Sequence, residues 1–131
     1  MIGAFTEEDV RGFLEHLRGA AAHAVQGSLI LDITHDVPMP TPVQRKKITD
    51  IISQAPNLGL VAGHALVVSS PVARGALTAI NWVVRPKFDE KIFGNPPAAV
   101  AWLAARNPKL DEAALLADLA RGIPELATLK W

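Results

Sequence analysis

The chain has 131 residues, half of them hydrophobic and a fifth charged, with 13 Lys and Arg balanced by 13 Asp and Glu. That size suits one soluble domain able to bury about two thirds of its unfolded surface, and balanced charge gives nucleic acid or an anionic membrane no global hold. With no cysteine, disulfides, thiolate zinc sites and cysteine nucleophiles are excluded. The start "MIGAFTEEDV" has no basic-then-apolar leader, and no run approaches about 18 uninterrupted apolar residues, so the expectation is a cytoplasmic protein without a membrane span.

Thr6 followed by Glu7, Glu8 and Asp9 reads as an N-cap with acids in a first helical turn, where the helix dipole favours them. Val10, Phe13, Leu14, Leu17, Ala21 and Ala24 recur at three- and four-residue spacing, which predicts an amphipathic helix over about residues 7–25, stopped by Gly27. "SLILDI" at 28–33 has the run length and apolarity of a strand buried on both faces. After the turn at 34–42, Thr41, Pro42 and Gln44 form an N-cap, a first helical residue and a capping-box partner. Ile48, Ile51, Ile52 and Ala55 supply that helix's buried stripe, and Pro56 ends it.

The cycle then repeats. "HALVVS" at 64–69 is the second buried strand, and Ser70-Pro71 opens a helix whose stripe is Val72, Ala76, Ala79, Ile80 and Val83, ended at Arg85-Pro86. "KFDEKIF" at 87–93 alternates as a third strand nearer an edge; Asn95-Pro96 starts a helix with Val100, Trp102 and Leu103, closed by Asn107-Pro108. Asp111 caps a helix through Leu115, Leu116 and Leu119 with Gly122 past its end, and "PELATLKW" adds a last turn. Strand and helix in this alternation predict an α/β fold, a small mainly parallel sheet flanked by helices with right-handed crossovers.

The order strand "LDI", turn, helix, strand "HALVVSS", helix, then "KIFGNPPAAVAWLAAR" resembles the STAS-type domain in its SpoIIAA-like branch, over roughly residues 6–106. Ile92-Phe93 followed by Ala99, Trp102 and Leu103 carries the likeness to that branch's strand ending in Phe and its Ala-x-x-Trp-Leu-like helix. Two departures stand out. STAS domains open with one or two strands, whereas "MIGAF" leaves room for a stub only: either the N-terminal hairpin is truncated, or the sheet is completed by another copy. The family's anti-sigma-factor antagonists carry an Asp-Ser-Ser-Gly-like turn whose serine is phosphorylated. This chain has "MPTPVQ" there, with Thr41 at about the equivalent place but neither the glycine nor the acidic neighbour. Thr41 is the candidate phosphosite. Domain organisation follows as one STAS-like unit over 1–131, its core at 6–106 and a helical extension at 107–131.

In an open parallel sheet, ligands bind beyond the carboxyl ends of the strands. Those ends gather Thr34, His35 and Asp36, then Ser69, Ser70 and Arg74, then Gly94 and Asn95, with helix starts at Thr41, Ser70 and Asn95. Convergent helix N-termini there favour an anion or phosphoryl group, although capping alone explains Ser, Thr and Asn; the rim is read as a partner-binding face. Arg45, Lys46 and Lys47 form its electrostatic flank, since cations at a helix start oppose the dipole. Adjacent His35 and Asp36 seldom orient a triad with Ser69 or Ser70, and no Gly-x-Ser-x-Gly elbow occurs. His16, His23, His35 and His64 lack metal-ligand spacing and read as solvated or locally bonded. Trp102 reads as core, while Trp82 and Trp131 suit a self-association surface. The resemblance implies a non-enzymatic regulatory or scaffolding module that binds protein partners, forms a homodimer or higher assembly, and needs no cofactor or metal. The alternative is a carrier of a small apolar ligand or lipid, as in the Sec14-type domains to which that branch is likened.

Overall fold

A computed structural model of the chain describes residues 6–22, 25–35, 40–53, 60–83 and 89–131. It is an α/β protein in the order α1 (Glu7–Ala22), β1 (Ser28–Thr34), α2 (Pro42–Ser53), β2 (Val61–Val68), α3 (Pro71–Val83), β3 (Glu90–Phe93), α4 (Pro96–Arg106) and α5 (Glu112–Gly122), with a closing 3-10 turn at Pro124–Ala127.

The helix starts are set by short-range polar chemistry. At α1, the Thr6 N–H donates to Asp9 Oδ2 (2.7 Å) and the Asp9 N–H returns a bond to Thr6 Oγ1 (3.1 Å). The Gln44 N–H donates to Thr41 Oγ1 and the Thr41 N–H to Gln44 Oε1, a reciprocal capping box at α2. Ser70, Asn95 and Asp111 each accept the N–H three residues on at α3, α4 and α5. Between α1 and β1 the chain reverses at Gly27, whose φ of 85° suits glycine and whose N–H donates to the Leu60 carbonyl.

The three strands form one parallel sheet in the order β1-β2-β3, with Thr34 beside Val68 and Val67 beside Phe93. Sequential order puts both crossover helices on one face, as right-handed connections require. Alternation along β2 divides the core. Ala65 and Val67 turn towards α4, where Ala99 and Leu103 meet them. Leu66 and Val68 turn the other way, onto Ala73 and Leu77 of α3. Trp131 and Leu110 bring the last segment back against the α4-side cluster. No helix among the described residues is long and apolar enough to cross a membrane.

The structure alters five of the expectations from sequence. β1 is half-buried along most of its length rather than covered on both faces, because it is an edge strand. β2 begins at Val61, three residues before "HALVVS". Gly63 hides that extension from a propensity reading, yet a side chain there would meet the Trp102 ring at 3.1 Å. β3 begins at Glu90. Val72, Ala76 and Ala79 of the stripe expected on α3 are exposed, because the helix turns Ala73 and Leu77 onto Leu66 and Val68 instead. Gly122 is the last residue of α5 rather than its stop, and the Ile123 N–H closes the helix on the Leu119 carbonyl. The N-terminal stub (1–5), His23, Ala24, Asp36, and the stops at 55–56 and 85–86 lie outside the described residues.

Candidate functional site

Each strand carries one ionisable residue on the face covered by α1, α2 and α3: Asp32 on β1, His64 on β2 and Glu90 on β3. Register aligns His64 with Ile30 on one side and Glu90 on the other, so the imidazole stands between two carboxylates. Its Nε2–H donates to Asp32 Oδ2 (2.7 Å) and its Nδ1–H to Glu90 Oε2 (2.8 Å). Arg45 of α2 donates to Glu90 Oε1 and, through Nε and Nη2, to Asn81 Oδ1. Asn81 of α3 donates its own N–H to Glu90 Oε1 (2.8 Å). At the other end His16 of α1 donates to Asp32 Oδ1 (2.8 Å) with most of its side chain in solvent. His64 is 1% exposed, Arg45 4% and Asp32 8%.

Burial works against every charge in this chain of bonds, and the partners outweigh it. Burial disfavours the His64 imidazolium, but its bonds to Asp32 and Glu90, with their charges, raise its pKa to about 9. Burial pushes the Asp32 carboxyl up, while hydrogen bonding and charge from His64, then His16, hold it below the usual value. Glu90 is lowered against its own burial by His64, Arg45 and Asn81. Two anions and two cations thus cancel, and among the described residues no buried side-chain polar atom lacks a partner. No group of three or more described His, Asp or Glu side chains is arranged to hold a metal ion.

The strand ends do gather at one margin, and its polar groups are engaged internally. Thr34 Oγ1 donates to the Val67 carbonyl. Arg74 spans the gap beyond β2, donating through Nη1 to the carbonyls of Val68 and Ser69, with Gly94 packed against its guanidinium. His35 donates to the Lys130 carbonyl and meets the Trp131 ring edge-on at 5.1 Å. Thr41, Ser70 and Asn95 cap helices here. Val43 and Val72, two residues after the caps of α2 and α3, stand 79% and 83% exposed.

Arg45 corrects the basic-flank expectation. It lies inside, tied to Glu90 and Asn81, because the fourth helical residue of α2 turns towards the sheet. Lys46 and Lys47 remain outside, paired with Asp50 on the next turn and with Glu7 of α1. His64 is likewise a long-range bridge rather than a solvated or locally bonded histidine. Two signals in the chain point to this arrangement. Asp32 and His64 each interrupt an otherwise apolar strand run, and "TPVQR" at 41–45 recurs as "SPVAR" at 70–74, placing an arginine at the same turn of both crossover helices. Trp82, 77% exposed, walls a cleft of about 430 Å³ between α3 and β3 that Thr78, Asn81, Lys91 and Ile92 also line.

No family model matches the chain, and no curated protein or solved structure is significantly similar to it.

Proposed function

We propose that this protein is a non-enzymatic module that docks protein partners through the margin at the carboxyl ends of its strands, and that copies of it also associate with one another. The observation that carries the reading is the pair of exposed valines, Val43 and Val72, at the starts of α2 and α3, the helices that follow β1 and β2 at this margin. Apolar side chains in solvent beside satisfied polar caps suit a protein face, since burying them brings no unpaired group with it. Lys46 and Lys47 lie on one side of it in exposed pairs with Asp50 and Glu7, which an acidic partner surface could exchange for its own carboxylates. The resemblance to SpoIIAA-like STAS domains points the same way, with Thr41 as the candidate phosphosite and the cytoplasm as the compartment.

Saturation of the buried ionic chain supports a non-enzymatic role. His64 has both ring nitrogens engaged and holds its proton firmly, so it offers no base to a reactant. Packing around α4 favours partner docking over a lipid carrier, because Ala99 and Val100 are fully buried and the Trp102 ring closes on Gly63. The test is capture of cross-linked partners by wild type, by the Val43→Glu/Val72→Glu double variant, and by a variant reversing Lys46 and Lys47. A partner held by wild type and released by the valine variant carries the reading. Equal capture by all three overturns it, and native mass spectrometry revealing a retained lipid favours the carrier.

A further inference from the structure

We propose that two copies of this chain pair through β3 and α3 across a two-fold axis, merging their sheets into one of six strands. The inference rests on the self-association part of the reading above and names its interface.

The His64 N–H donates to the Asp89 carbonyl. In a parallel ladder that engages Asp89, Lys91 and Phe93 with β2 and turns the N–H and C=O of Glu90 and Ile92 outward. β3 is an edge, hydrogen-bonded among the described residues to β2 alone. An open edge beside a helix accepts an extended strand, and the cleft between α3 and β3 runs along it.

Charge selects the occupant's register. A second β3 running antiparallel can place Glu90 against Glu90, Glu90 against Ile92, or Ile92 against Ile92. The first sets two carboxylates opposite each other, and the second brings the two Lys91 side chains together in the close non-bonded pair. Centring on Ile92 avoids both. It sets Ile92 against its counterpart, extending the cluster of Leu66, Ala73 and Leu77 across the axis, and Lys91 against the second copy's Phe93. Within one chain Lys91 already lies 5.6 Å from the Phe93 ring centre, a cation–π approach that the pairing repeats.

The helices agree with that register. Thr78 and Trp82 share the side of α3 that faces the cleft. With the axis level with Ile92, Thr78 meets its counterpart and each Trp82 reaches the other helix near Gly75, where the space a side chain would fill is open. An exposed tryptophan gains an apolar bed, and the outward amides gain partners.

Sedimentation velocity at tens of micromolar, with single-residue variants, tests the pairing. Wild type is expected to be a dimer. Thr78→Glu, which sets like charges across the axis at an exposed position, and Trp82→Ala are each expected to raise the dissociation constant by roughly 30-fold or more with an unchanged circular dichroism spectrum. Because the chain has no cysteine, Thr78→Cys should form a disulfide-linked dimer on mild oxidation while Val25→Cys does not. A monomeric wild type would sink self-association and this interface together. A wild-type dimer that Thr78→Glu leaves intact, or that Thr78→Cys fails to link, overturns the interface alone.

Discussion

Asp32 on β1 and His64 on β2 meet through a 2.7 Å hydrogen bond, both nearly closed to solvent, although 32 positions separate them in the chain. Parallel pairing is what makes that contact, because its register brings Asp32, His64 and Glu90 to the same face of the sheet. From there the bonds run on to Glu90, Arg45 and Asn81, so one connected set ties α2 and α3 to all three strands. His16 adds α1 to it.

Stability should therefore depend on pH in a defined way. The fold raises the His64 pKa from 6.5 to about 9, so its contribution is complete below 6.5 and disappears as pH rises through about 9. Asp32 and Glu90 sit below their ordinary 3.8 and 4.5; what they contribute is complete above those values and is lost as pH falls through the lowered ones. Unfolding free energy should peak between about pH 5 and pH 6.5 and decline by on the order of 3 kcal/mol towards pH 9. Urea titrations across that range check it, and His64→Gln should lose most of the alkaline decline. An unchanging midpoint from pH 6 to pH 9 would contradict the assignment.

Neighbouring cations in α2 should differ sharply. Arg45→Met strips Glu90 of a buried partner, and breaking such a pair costs about 3–5 kcal/mol. Lys46 is paired with Asp50 in solvent, its side chain 64% exposed, so Lys46→Met should stay within about 0.5 kcal/mol of wild type. Urea denaturation of the two variants side by side measures the contrast, and similar values for both would refute the buried role of Arg45.

How much of this was legible follows from range. Caps at Thr6, Thr41, Ser70, Asn95 and Asp111 depend on partners three residues away, and the apolar runs at 28–33 and 64–69 announce their strands, so the α/β order and parallel sheet could be read from the chain. The interrupted strand runs and the repeated Pro-Val-x-Arg point to buried polar residues, but which of them pair could not be assigned that way. Arg45, Lys46 and Lys47 read as one basic flank until α2 is laid on the sheet, where Arg45 faces inward. His64 gains its partners from residues 32 and 26 positions away, a distance over which no local pattern operates. The half-buried state of β1 depends in turn on its edge position, which only strand order reveals.

Thr41 offers a separable measurement, because its hydroxyl accepts the Gln44 N–H at the start of α2. Thr41→Ala should cost about 1 kcal/mol, and Thr41→Ser, which keeps the oxygen, should recover most of it. Thermal unfolding of the pair decides the matter. Equal losses in both variants would mean that the methyl group, not the cap, carries the effect.

Gly63 tests the packing beneath the sheet. It lies inside β2, where glycine is a poor choice for strand stability, so on propensity alone Gly63→Ala should help. The structure predicts the reverse. A methyl group there would stand 3.1 Å from Trp102 Cη2 and 3.3 Å from Arg106 Cδ, while the same indole lies under the Arg106 guanidinium at 4.0 Å and against Phe93. The ring has little room to yield without disturbing both neighbours, so Gly63→Ala should destabilise by about 1–3 kcal/mol through overpacking. Pairing it with Trp102→Leu, which vacates the contacted edge of the ring, should bring the cost of Gly63→Ala close to zero in a double-mutant cycle. A stabilising Gly63→Ala, or a cost unchanged in the Trp102→Leu background, would show that the indole does not set the limit at this position.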